Sequence, residues 1–103
     1  MVYRVGEKLK VATVLLTEKA EKSLRRLPKY IINIFDDWVN LIENYGHDEM
    51  SKIPGYRDHA LKGNLSGKRS SSLNRSYRVI YELSNETTLI VKVIEVNKHD
   101  YKI

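Results

Sequence analysis

Residues Arg69 to Val96, RSSSLNRSYRVIYELSNETTLIVKVIEV, decide the fold. Tyr77–Leu83 (YRVIYEL) and Thr88–Val96 (TLIVKVIEV) are dense in β-branched and aromatic residues, and the polar Ser84–Thr87 (SNET) between them reads as a hairpin turn. Arg69–Arg75 reads as a further strand ahead of this pair, which makes the C-terminal half a meander. Tyr77 and Tyr81 share strand parity with Val79 and Leu83, so both are expected to face a core. A four-residue turn places Arg78 near Val93 and Arg75 near Val96. On that register Arg69–Arg78 and Lys98–Lys102 converge at the open end of the hairpin.

Upstream of the meander, Lys10–Leu16 (KVATVLL) reads as a strand that runs directly into a helix, with Thr17 as N-cap candidate and Glu18 behind it. Met1–Lys8 reads equally as an extension of that strand, a short strand of its own, or a frayed end. Ala20, Leu24 and Leu27 follow helical spacing, and Pro28 ends this helix and opens the next. Ile31, Ile34/Phe35, Trp38, Leu41/Ile42 and Tyr45 recur at three- and four-residue steps and predict a strongly amphipathic helix, stopped by Gly46. His47–Lys68, with Pro54, Gly55, Gly63 and Gly67, reads as a long connecting loop, and loops of that length are more often functional than not.

The order β-α-α-β-β-β predicts one α+β domain over residues 1–103. An N-terminal strand and a helical hairpin pack on one face of an antiparallel sheet ending in a three-strand meander, and the other face is left free for a ligand.

With 103 residues, 42% hydrophobic and 30% charged, the composition is that of a single soluble globule. The absence of cysteine excludes a disulfide-stapled module, a thiolate metal site and a cysteine nucleophile. No apolar run is longer than Val11–Leu16, so neither a secretory leader nor a membrane span is expected, and the expected location is cytoplasmic. The net charge of +5 is local: Arg57–Arg78 carries six basic residues and one acidic one, while the chain before and after it is close to balance. A polyanion is the natural partner of such a segment.

Lys62, Lys68, Arg69, Arg75, Arg78 and Lys102, clustered with His99 and Tyr101, would suit a phosphodiester backbone, with aromatic rings available for unstacked bases. RNA cleavage needs little more: a base for the 2′-OH proton, cations for the phosphate oxygens, and an acid for the leaving 5′-oxygen. His47, His59 and His99 are too far apart in sequence for a metal-ligand motif, so no metal or cofactor is expected. Each candidate also has a plainer reading. The lysines and arginines would be solvated surface, Arg78 would pair with Glu82 or Glu95 on its strand face, and His99 would make a surface hydrogen bond. Trp38 and the Ile/Leu stripe are core.

The run LKGNLSGKRSSSLNRSYRVIYEL (Leu61–Leu83), followed by VNKHDYK (Val96–Lys102) and preceded by LRRLP (Leu24–Pro28), resembles the RelE/ParE superfamily of bacterial toxins. Within it, the chain is most similar to the RelE/YoeB/HigB-type mRNA interferases of type II toxin–antitoxin modules. The resemblance implies a RelE-like fold and a ribosome-dependent endoribonuclease that cleaves translated mRNA in the A site by 2′-OH attack, inhibiting translation. Arg78 matches the strand arginine that stabilises the transition-state phosphate. His99 matches a C-terminal histidine used as general acid, and Tyr101 the terminal aromatic. Lys62 and Lys68 fall in the RNA-binding basic loop, with Arg69, Arg75, Lys98 and Lys102 as further RNA-binding candidates.

His59 has a histidine counterpart in some branches and joins the catalytic candidates. The general base is open between Asp58, Glu49, His59, a lysine and no base at all, and Ser71 and Ser72 stand where some relatives carry basic residues. Implied partners are a cognate antitoxin in a hetero-oligomer, the ribosome and mRNA, with no membrane. Two alternatives share the fold: a ParE-like gyrase poison, and a non-catalytic remnant that binds an antitoxin.

Overall fold

A computed structural model describes residues 10–84 and 90–98 of the chain. Strand β1 (Thr13–Leu16) passes into helix α1 (Glu18–Leu24) through Thr17, whose hydroxyl oxygen accepts from the Ala20 amide at 3.0 Å, the expected cap. Its hydroxyl proton goes to the Ile94 carbonyl, 2.8 Å away, which ties the helix start to the sheet. Pro28 precedes α2 (Lys29–Tyr45), and Gly46 ends it at φ 94°, a left-handed position that a side chain would strain. Ile31, Phe35, Trp38 and Ile42, one stripe of α2, are buried, and Trp38 meets the ring of Tyr81 edge-on at 5.4 Å.

Next come α3 (His47–Ser51), a 3₁₀ turn (Pro54–Tyr56), the two-residue strand β2 (His59–Ala60), a second 3₁₀ turn (Gly63–Leu65), and strands β3 (Arg69–Ser72), β4 (Tyr77–Leu83) and β5 (Ile90–Lys98). The segment 47–68, expected as loop, is therefore largely structured. Its pieces are too short to show periodicity in sequence; α3 is held by Met50 and His47, both buried.

Among the described residues the sheet has five strands in the order β1-β5-β4-β3-β2. It is mixed rather than antiparallel throughout: β1 runs parallel to β5, and the remaining pairs are antiparallel. Both helices of the hairpin come between β1 and the meander in sequence, which gives the chain the length that a parallel return requires.

The β4–β5 register also departs from expectation. Arg78 stands opposite Asn97 rather than Val93, and Arg75 lies in the turn between β3 and β4 rather than beside Val96. The reason is burial. In the observed register Val79, Tyr81 and Leu83 oppose Val96, Val93 and Val91, all on the helix-covered face, whereas the shorter turn would set Lys92 opposite Val79 in the core. An irregularity between Ile80 and Tyr81 absorbs one extra residue of β5. Tyr81 is fully buried, as its parity predicts, and Tyr77 packs against the same core.

Candidate functional site

Alternation along β2, β3 and β4 sorts the polar residues of the basic segment onto two faces. His59, Ser70 and Ile80 form one cross-strand row, and Ser72, Arg78 and Asn97 another, both on the face without helices. Ser71, Val79 and Val96 form the row between them and Ala60, Arg69, Tyr81 and Val93 the row beyond the first, and both of these point toward the helices.

On the open face, Arg57, His59, Ser70, Ser72, Asn74, Arg75, Tyr77 and Arg78 line a cleft of about 230 Å³. A wider groove of about 650 Å³ continues from it past Arg57, Ser72, Asn74, Arg75 and Ser76 to Gly55. The β3–β4 turn is held by Asn74, whose side-chain oxygen accepts from the amides of Ser76 and Tyr77, both at 2.8 Å, so Arg75 stands exposed at its tip. Arg78 Nε donates to Asn97 Oδ1 at 3.3 Å. The ion pairs considered for Arg78 do not form: Glu82 pairs with Lys92 and Glu95 with Lys19. Among the described residues no carboxylate neutralises Arg57, Arg75 or Arg78.

His59 is exposed, and its Nδ1 lies 2.8 Å from the Arg57 carbonyl. A carbonyl only accepts, so Nδ1 carries the proton and Nε2 keeps its lone pair when the ring is neutral. The register puts His59 and Arg78 two strands apart and two residues along, roughly 12 Å between Cα atoms, a separation that two converging side chains and a phosphodiester can fill.

The helix side of the same strands holds a closed polar cluster. The Asp58 side chain is wholly buried; its Oδ1 accepts from Arg69 Nη2 at 2.6 Å and Nε at 2.9 Å. Its Oδ2 accepts from Ser71 Oγ at 2.6 Å and from the Tyr81 hydroxyl. Because Tyr81 spends its proton on Asp58, its oxygen accepts from His47 Nε2 at 2.7 Å. Burial alone would raise the Asp58 carboxyl, but the nearby His47 ring and the hydrogen bonds from Ser71, Tyr81 and Arg69 together hold it well below its ordinary 3.8. Burial, then Asp58, pushes the Tyr81 phenol well above its usual range.

The expected site residues thus separate. His59, Arg75 and Arg78 come together, joined by Arg57, which the sequence reading passed over. Its signal was the 3₁₀ turn ahead of β2, invisible without the fold. Arg69, counted among the RNA-binding cations, lies on the opposite face with its guanidinium committed to Asp58. Asp58 is sealed from any substrate, and Glu49 pairs with Lys52 on α3, so neither sits with the cleft as a base. Lys62 and Lys68 flank the second 3₁₀ turn, beyond the Arg69 end of β3, and do not line the cleft. Lys98 is exposed at the end of β5, opposite Tyr77. His99, Tyr101 and Lys102 lie outside the described residues, directly after the strand that pairs with Arg78.

A helical hairpin over one face of a small mixed sheet is the architecture of RelE/ParE-type toxins. The family model for "ParE toxin of type II toxin-antitoxin system, parDE" matches residues 14–100, and the chain belongs to that family. No curated protein matches it in sequence. Among solved structures, YafQ from E. coli strain BL21(DE3) superposes with a TM-score of 0.69 at 16% identity, covering 85% of this chain and 93% of that one. The toxin–antitoxin complex RelBE2 from Mycobacterium tuberculosis gives a TM-score of 0.63 at 22% identity, covering 85% and 98%. The YoeB–YefM complex from Staphylococcus aureus gives 0.62 at 17%, covering 86% and 98%. At these identities the likeness establishes the fold. No helix among the described residues is long and apolar enough to cross a membrane.

Proposed function

We propose that this toxin is an endoribonuclease that cleaves translated mRNA on the helix-free face of its sheet, in the cytoplasm and on the ribosome. The observation that carries the reading is a cleft in which Arg57, Arg75 and Arg78, unpaired with carboxylates among the described residues, surround a histidine with its Nε2 free.

Neutral His59 Nε2 takes the proton of a ribose 2′-OH, the 2′-oxygen attacks the adjacent phosphorus, and the P–O5′ bond breaks. Arg78, aided by Arg57 and Arg75, stabilises the charge that gathers on the non-bridging oxygens. The family resemblance assigns the proton for O5′ to His99 and substrate stacking to Tyr101. The products are a 2′,3′-cyclic phosphate and a 5′-hydroxyl. Lys62, Lys68, Lys98 and Lys102 serve RNA or ribosomal RNA contact away from the reacting phosphate. RelBE2 is a toxin–antitoxin complex, and YoeB is in complex with YefM; a cognate antitoxin neutralising this chain is the corresponding partner here.

Expression of the wild type with a translated reporter should give discrete mRNA breaks by primer extension, lost in Arg78→Ala and His59→Ala. A second reading, action on a protein target such as DNA gyrase, is favoured by the ParE family match. It predicts intact mRNA with trapped gyrase–DNA cleavage complexes, and that result would replace the first reading.

A further inference from the structure

His59 sits on the shortest strand of the sheet, a two-residue edge paired only to β3. Two residues of ladder cannot hold a catalytic side chain in register. Just before it, Arg57 adopts the left-handed conformation, φ 46° and ψ 43°, which strains a non-glycine residue. Something must hold this segment. Asp58, between the two, is the residue with the means. Its side chain is fully buried, and it reaches β3 through Arg69 and Ser71 and β4 through Tyr81.

We propose that Asp58 is the positioning residue of the cleft: its buried carboxylate, gripped by Arg69, Ser71 and Tyr81 on the helix side, forces His59 onto the open face. Adjacent residues of an extended segment point to opposite faces, so a carboxylate anchored inward leaves His59 no choice but outward. The same anchor places the Arg57 carbonyl where it fixes His59 as the Nδ1–H tautomer and leaves Nε2 facing the cleft. The inner side of β3 is polar for this reason. Arg69 and Ser71 face a core that elsewhere holds Trp38, Met50 and valines, and both are satisfied by the one carboxylate. The catalytic part of this inference rests on the RNA-cleavage reading; the tautomer part does not.

The test is Asp58→Asn, near-isosteric with the wild type, in the full-length protein. Long-range ¹H–¹⁵N NMR of the imidazoles reads the His59 tautomer, and single-turnover kinetics on RNA reads kcat and KM. The expected result is at least a twofold fall in the Nδ1–H population of His59 and a drop in kcat of roughly 10- to 100-fold, with KM within about threefold. A folded Asp58→Asn protein with an unchanged His59 tautomer and unchanged kcat would overturn the proposal.

Should that variant not fold, the double variant Ser71→Ala, Tyr81→Phe removes both hydrogen bonds to Oδ2 and keeps the Arg69 pair. It is expected to move the same two readouts in the same direction, and no movement overturns the proposal. If the wild type cleaves no RNA, the proposed function fails, while the tautomer measurement still decides whether Asp58 positions His59.

Discussion

Arg69 and Arg78 belong to the same basic stretch and to neighbouring antiparallel strands, yet they have opposite fates. Arg69 points toward the helices and is neutralised by a fully buried carboxylate. Arg78 points away from them and, among the described residues, donates to the side-chain oxygen of Asn97. One residue of parity separates a structural cation from one available to a phosphate. The segment with six basic residues and one acid spends that acid, Asp58, on the inner face, so the outer face keeps its full positive field. Net charge along a chain therefore says less about function than which face each charge reaches.

The two arginines should differ most in what their removal does to stability. Arg69→Ala strands the Asp58 carboxylate in the interior and should lower unfolding free energy by about 3 kcal/mol. Arg78→Ala should change it by less than about 0.5 kcal/mol. Denaturant titration of the two variants checks both values. Cleavage should reverse the ranking among proteins that remain folded: Arg78→Ala loses about 10²- to 10³-fold in rate, the range found when a transition-state anion loses its principal donor. Equal activity losses in the two folded variants would erase the distinction between the faces.

Acid should find the inner face first. The folded-state Asp58 carboxyl lies below its unfolded value near 3.8, so its stabilising contribution is complete above that value and declines as pH falls below it. Thermal melts should show wild-type stability falling below about pH 4 more steeply than that of Asp58→Asn. The smallest effect concerns Arg57. Arg57→Gly relieves a left-handed non-glycine residue and should leave stability unchanged or raise it by about 0.5 kcal/mol. The same change removes one cleft cation, so the salt dependence of RNA binding should become shallower by about 0.7 in log–log slope.

Much of this architecture was legible from residues. YRVIYEL, the stripe Ile31–Trp38–Ile42, the Thr17 cap and the Gly46 stop were read from spacing and residue type, and each appears as an element, a cap or a buried side chain. The parallel β1–β5 pair was not legible, because it joins the two ends of the domain and depends on how the helices cross the sheet. Turn length misled the β4–β5 register, though Lys92 held the correction: no register with Lys92 facing the helices could bury Val91 and Val93 together.

At the site, Arg78, Arg75 and His59, singled out by family pattern and charge, line one cleft, whereas Arg69 lies on the other face. Its strand neighbours offered a warning. Ser70, Ser71 and Ser72 give no hydrophobic alternation, so nothing in the strand itself shows which parity is buried. Neutralising Lys62, Lys68 and Arg69 together is consequently a poor test of RNA binding, since the Arg69 change acts through folding.

If the open face performs phosphoryl chemistry on RNA, the new RNA termini carry its signature. Purified protein should be added to ribosomes paused on a defined mRNA and the new ends analysed chemically. Wild type should yield 2′,3′-cyclic phosphate and 5′-hydroxyl ends, and folded Arg78→Ala should yield neither above background. Intact RNA from the wild type, or the same ends at the same rate from Arg78→Ala, would mean that the open face does not carry this chemistry.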